Sequence, residues 1–178
     1  MHTLSFVIGA SGSGKTAAVR ELERHSGVRA FYFDGIGVPS EQERQEKWGN
    51  SGGWQRAATI EWVRRIRPPL VRGAAVLDGQ TRPSFIAEAC QLSGVTNYRI
   101  VLVTCSDDIR RARLCNRGQP ELANVQMMEW AKYLIVETQR VGGTVIDNDR
   151  LSIAQTAAAL ARIVGERAKE ANDSAGSC

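Results

Sequence analysis

The sequence predicts an α/β protein of three layers, α/β/α, with helices on both faces of a five-stranded parallel sheet. Three observations carry that prediction. Short β-rich runs alternate with helical patterns of ten to twenty residues, the pattern of right-handed βαβ units. The β-rich runs are too apolar or too short for strands with one face in water. The 178 residues, 43% hydrophobic and 24% charged, are enough for one domain with its own core and leave little room for a second.

The elements follow in chain order. Leu4–Ile8 is an apolar run and opens the sheet. A helical pattern runs from Lys15 to about Ser26, with Gly27 just past its end. The second strand is expected over Arg29–Phe33, followed by a long irregular segment from Asp34 to Gly53 that contains Gly35, Gly37, Pro39, Gly49, Gly52 and Gly53. Loops of that length are uncommon in compact domains and tend to carry function. A helix over Gln55–Arg67 is stopped by Pro68-Pro69, and the third strand is Ala74–Leu77. The remaining pattern is a helix over Pro83–Ser93 with Gly94 beyond it, a strand over Arg99–Thr104 and a helix from Asp107 to about Asn116. Pro120 suits a first helical position and Glu121 favours the positive N-terminal dipole, so a helix is expected over Pro120–Arg140, with Leu122, Val125, Met128 and Ile135 on its core face. Thr144–Ile146 is the fifth strand, and the last helix runs from a Ser152 cap to about Lys169. Residues 171–178 hold nothing to bury and are expected to be a disordered tail after a domain spanning 1–170.

No run reaches the ~20 apolar residues of a membrane span, and the N-terminus leads directly into a strand, so a cytoplasmic protein is expected. Cys90, Cys105, Cys115 and Cys178 form no CxxC pair, and His2 and His25 are the only histidines, which argues against zinc and for buried structural thiols. The net charge is +4, with all but Lys15, Lys47, Lys132 and Lys169 of the 23 basic residues being arginine. That balance suits an anionic ligand. The arginines are dispersed outside Arg110, Arg111, Arg113 and Arg117 and have no aromatic ladder beside them, so nucleic acid is a disfavoured partner.

Gly9-Ala10-Ser11-Gly12-Ser13-Gly14-Lys15-Thr16 matches G-x-x-x-x-G-K-[ST] between a strand and a helix, the context the motif requires. Such a loop turns its amides inward at the positive end of the helix and cradles phosphates. Lys15 then neutralises the terminal phosphates and Thr16 offers a hydroxyl to Mg²⁺. Asp78 ends an apolar strand at the carboxyl edge of the sheet, where a carboxylate holds Mg²⁺ directly or through water; in isolation it would read as an Asp-Gly turn. Arg110, Arg113 and Arg117 lie at i, i+3 and i+7 and share one helical face, either as phosphate-directed cations or as a solvated surface salt-bridged to Asp107 and Asp108.

With these pieces in this order, residues 4 to about 150 resemble the P-loop kinases of the nucleoside-monophosphate and shikimate kinase group. Leu77-Asp78-Gly79-Gln80-Thr81-Arg82 resembles the Asp-Gly-Phe-Pro-Arg strand end of adenylate kinases, and Arg113-x-x-x-Arg117 the first arginines of their lid. The resemblance implies that Arg82 contacts the acceptor or transferred phosphate and that Arg113 and Arg117 close over the nucleotide within a lid-like segment, 107–120. It also places an acceptor-binding insertion at 34–66. The Thr-Gly and arginine with which adenylate kinases grip AMP are missing after the second strand. Asp34 instead resembles the aspartate of shikimate and antibiotic kinases that serves the acceptor hydroxyl as base or orienter; an Asp-Gly turn is the alternative role. Trp48, Trp54 and Arg56 are either an acceptor wall with one cation or residues that pin a helix to the core. By the same resemblance, backbone groups of Asp147-Asn148-Asp149 read the base, and without an Asn-Lys-x-Asp signature ATP is preferred to GTP. The function expected is therefore transfer of the γ-phosphate of Mg-ATP to a hydroxyl or phosphate of a small-molecule acceptor, by a monomer or homodimer. The alternatives are a nucleotide switch or ATPase acting on a protein partner, and a kinase of nucleic-acid ends.

Overall fold

A computed structural model describes residues 3–67 and 74–173. Its strands are β1 (Leu4–Ile8), β2 (Arg29–Tyr32), β3 (Ala75–Gly79), β4 (Tyr98–Thr104) and β5 (Thr144–Asp147). They form one sheet in the order β2-β3-β1-β4-β5, every pair parallel. The helices are α1 (Lys15–His25), α2 (Glu41–Trp48), α3 (Ser51–Ile66), α4 (Pro83–Leu92), α5 (Asp107–Asn116), α6 (Val125–Arg140) and α7 (Ile153–Asp173). Short 3₁₀ turns cover Phe33–Ile36 and Pro120–Leu122.

The pleat sorts each strand onto two cores. In β1, Leu4, Phe6 and Ile8 enter a core with Ala58, Trp62, Val63 and Ile66 of α3, Ile86 and Ala89 of α4, and Ala131 and Leu134 of α6. Val7 faces the other way, into a core with Val19 and Leu22 of α1 and Leu160 and Val164 of α7. Sheet order and all-parallel strands bring the carboxyl ends of β1, β2 and β3 together beneath the loop at residues 9–14, the place where open α/β sheets bind ligands.

Three expectations are corrected. The segment from Asp34 to Gly53 is not irregular: it holds a 3₁₀ turn and α2, and α3 starts at Ser51, not Gln55. Helix α2 has no buried residue, so no apolar period reveals it. It is held by a capping box in which Ser40 Oγ accepts from Glu43 N (3.2 Å) and Ser40 N donates to Glu43 Oε2 (2.9 Å). Asn50 caps α3 by accepting from Gly53 N at 2.8 Å. The helix expected over Pro120–Arg140 is two elements, because Asn124 accepts from Met127 N at 2.9 Å and restarts the chain as α6. The buried face of α6 is Met128, Ala131, Leu134 and Thr138, while Val125 is 65% exposed. The last helix continues to Asp173, beyond Lys169; the rest of the expected tail, and the Pro68-Pro69 stop, lie outside the described residues. Ser152 does cap it, accepting from Gln155 N at 3.2 Å. Among the described residues no helix is long and apolar enough to cross a membrane.

Candidate active site

The loop between β1 and α1 is shaped by its glycines. Gly14 caps α1 in the left-handed region, at φ 81°, which a side chain rarely adopts. Gly9 is required for another reason: a Cβ there would lie 2.5 Å from the Val103 carbonyl oxygen and 2.7 Å from Ser13 Oγ. Within the loop, Ser13 N donates to the Ala10 carbonyl at 3.2 Å, and Ser13 Oγ accepts from Lys15 N at 3.5 Å.

The loop forms one wall of a cleft of about 600 Å³, a volume suited to a small-molecule site. Ser11, Gly12, Ser13, Gly14, Lys15 and Thr16 all line it, as do Asp34, Asp78 and Arg117. Across the edge of the sheet, Thr16 Oγ1 donates to Asp78 Oδ2 at 2.6 Å, and Lys15 Nζ stands 3.8 Å from Asp78 Oδ1. Asp78 is 4% exposed, and its Oδ1 is buried without a hydrogen-bond partner. Burial raises the Asp78 carboxyl above its usual 3.8, while Lys15 and the Thr16 hydroxyl pull it back down. An orphaned carboxylate oxygen beside a hydroxyl is a donor set that fits a hard divalent cation such as Mg²⁺. Asp34 sits in the 3₁₀ turn after β2, exposed at the cleft, with its carbonyl accepting from Gly37 N at 3.0 Å.

The arginine face on α5 exists, but it is turned inward, and its three residues part ways. Arg110 is fully buried. Arg113 Nη1 donates to the carbonyl of Ser13 (3.2 Å) and to Asn148 Oδ1 (3.0 Å), so it grips the back of the loop and does not line the cleft. Only Arg117, at the C-terminus of α5, reaches the cleft. Arg82 also lies outside the cleft lining: Nη1 donates to Gln55 Oε1 at 2.8 Å, and its guanidinium stands 5.0 Å from the Trp130 ring centroid, 5.2 Å from Phe85 and 5.9 Å from Tyr133. Trp54 packs edge-on against Phe33 (5.8 Å), Trp62 Nε1 donates to the Phe33 carbonyl (2.9 Å), and Arg56 pairs with Glu88. The Phe33 contacts pin α3 at the sheet edge and the ion pair ties it to α4, the second of the two roles read from the sequence for Trp54 and Arg56. Of the thiols, Cys90 and Cys105 are buried, Cys115 is exposed contrary to expectation, and Cys178 lies outside the described residues. Burial pushes the Cys90 thiol up to about 12, which leaves it unreactive.

Sequence reasoning missed Arg20, Tyr32, Gln80, Gln119 and Leu122 as cleft residues. Arg20 was legible, since it follows Thr16 by one helical turn on the same face. Gln119 and Leu122 reach the cleft only because the chain turns at Gly118, which no periodicity announces. At Asn148 a side chain is also at work: Nδ2 donates to the Ser13 carbonyl at 2.8 Å.

Many solved structures share this architecture. A Deinococcus radiodurans tunicamycin resistance protein superposes with TM-score 0.66 at 20% identity, covering 93% of this chain and 96% of that one. A Sinorhizobium meliloti gluconokinase gives TM-score 0.64 at 18% identity over 94% and 97%. An Acinetobacter baumannii shikimate kinase in complex with shikimate gives 0.63 at 13% identity over 92% and 93%. The chain has the P-loop kinase fold. No protein-family model and no curated protein sequence matches it. At identities this low the kinase fold is what the likeness shows, and the chemistry must be argued from the cleft.

Proposed function

We propose that this protein is a kinase that moves the γ-phosphoryl group of Mg-ATP to a hydroxyl or phosphate oxygen of a small-molecule acceptor. The observation that carries the reading is the Thr16–Asp78 hydrogen bond of 2.6 Å beside Lys15, in one cleft with the free carboxylate of Asp34. The loop amides and Lys15 hold the phosphates, and Thr16 and Asp78 would hold Mg²⁺, which when bound neutralises charge on the phosphate oxygens. Asp34 accepts the proton of the acceptor hydroxyl as the acceptor oxygen bonds to the γ-phosphorus. The bond from that phosphorus to the β–γ bridging oxygen breaks, ADP leaves with the electron pair, and Asp34 releases the proton to water. Arg117 offsets charge on the equatorial oxygens from the mouth of the cleft. Arg113 acts on that charge from behind the loop, whereas Arg82, held by Gln55 of α3 and Trp130 of α6 outside the cleft lining, is given no contact with the phosphates.

A small acceptor is supported by the cleft of about 600 Å³ and by fold neighbours that include a gluconokinase and a shikimate kinase. The test is incubation of purified protein with Mg-ATP and a fractionated metabolite extract, with new phosphorylated masses read beside a Lys15→Ala control. A product absent from the control identifies the acceptor. ADP binding without any product sinks the kinase reading and leaves the nucleotide switch. Once the acceptor is known, Asp34→Asn is expected to lower turnover by at least 10²-fold with ADP affinity unchanged, on the usual scale of general-base catalysis. Retained turnover removes the base assignment.

A further inference from the structure

We propose that Arg110, with Asn148 as a second brace, is a positioning residue for the phosphate loop: it fixes nucleotide affinity without touching the nucleotide. The inference rests on the loop being the phosphate site, as argued above. In a phosphate-binding nest the amides point to the concave side and the carbonyls point away, so a loop whose carbonyls are gripped from outside is fixed with its amides facing inward. Each carbonyl from Ser11 to Ser13 is gripped in this way. Arg110 Nη1 donates to the Ser11 carbonyl at 2.9 Å, and Cys105 Sγ donates to the Gly12 carbonyl at 3.7 Å. Asn148 Nδ2 donates to the Ser13 carbonyl at 2.8 Å, joined there by Arg113 Nη1.

Arg110 is the fixed point of this brace. It is 0% exposed and forms no ion pair among the described residues, and its Nη2 donates to the Cys105 carbonyl at 3.1 Å and to Thr104 Oγ1 at 3.4 Å. One planar guanidinium thus ties the end of β4 to the loop, a geometry that lysine, with a single point of donation, does not reproduce. The stem takes part as well: a Cβ on Gly12 would meet Arg110 Cγ at 3.0 Å, so the loop lies on the side chain with no slack. A buried cation is costly unless its donors are satisfied. Here the Ser11 and Cys105 carbonyls and the Thr104 hydroxyl hold its two Nη groups, Nε is buried without a partner, and the positive charge lies directly behind the amides that face the phosphates. Affinity for phosphate therefore includes order that Arg110 establishes before the ligand arrives.

The test measures ADP and pyrophosphate binding by calorimetry for the wild type, Arg110→Lys, Asn148→Ala and an Arg111→Ala control on the exposed side of α5, with melting temperature and amide exchange of residues 11–16 recorded for each. Pyrophosphate isolates the loop from any contact with the base. Arg110→Lys is expected to bind both ligands at least tenfold more weakly, by the same factor, with faster exchange in the loop and a native-like melt, while Arg111→Ala stays within twofold. Equal affinity in a folded Arg110→Lys protein overturns the proposal. Should that variant not fold, Asn148→Ala decides: loss of at least fivefold for both ligands supports the brace, and loss for ADP alone, or for neither, overturns it. A wild-type protein that binds neither ligand refutes the nucleotide reading itself, a different failure from wild-type binding that the variants leave unchanged.

Discussion

At the scale of the residue, the site sets function against stability in one carboxylate. Asp78 is buried at the edge of the sheet with one oxygen unpartnered, and burial holds its pKa above 3.8. The folded protein keeps that proton to a higher pH than the unfolded chain, so stability from this group is greatest below 3.8 and falls as pH rises from there through the folded value. Near neutrality the buried charge is a standing cost. Asp78→Asn keeps an acceptor for Thr16 and removes the charge, so the nucleotide-free protein is expected to gain roughly 0.5–2 kcal/mol, a rise in melting temperature of about 1–8 °C at pH 7. The same variant should lose the dependence of ADP binding on Mg²⁺. A melting temperature unchanged or lowered would show that the Lys15 contact at 3.8 Å outweighs burial. Wild-type Mg²⁺ affinity should also fall in acid, because the metal must then displace the Asp78 proton.

At the scale of the element, α2 and α5 show two ways a helix is held. Helix α2 buries nothing of its own and depends on its caps, so Ser40→Ala is expected to cost about 1 kcal/mol, the usual worth of such a cap. That loss should appear as faster amide exchange confined to Glu41–Trp48 while the core strands stay protected; protection lost throughout would mean that α2 is part of the cooperative unit. Helix α5 is the opposite case. Arg110 and Arg113 bond it to the loop and to Asn148, so Arg117 is presented to the cleft by a helix whose register is locked. The junction of α2 and α3 explains two glycines that looked like loop residues: Gly49 ends α2 in the left-handed region at φ 76°, and Gly53 sits against the Trp48 carbonyl so closely that any Cβ would collide with it.

At the scale of the whole molecule, the cleft is assembled from the ends of β1, β2 and β3 and from residues on both sides of Gly118, so a ligand bound there ties distant segments together. Mg-ADP at a hundred times its dissociation constant should add about 2.7 kcal/mol of stability. For a chain of this size that corresponds to roughly 5–10 °C in melting temperature. Thermal melts with and without EDTA check it, and a shift that EDTA does not reduce would remove Mg²⁺ from the site. The sequence by itself determined the α/β class, the five strands, the glycine-spaced loop between β1 and α1 and the place of Asp78 beside it, because each is written in local pattern: apolar runs, a glycine-spaced motif, and a carboxylate at the end of a buried strand. Only the tertiary structure decided where the arginines point. Arg110, Arg113 and Arg117 share a face by helical spacing, yet one is buried, one grips the loop from behind and one enters the cleft. Spacing defines a face of the helix, and what that face meets depends on segments some hundred residues away, since Arg113 and Ser13 are 100 positions apart and Asn148 and Ser13 are 135 apart.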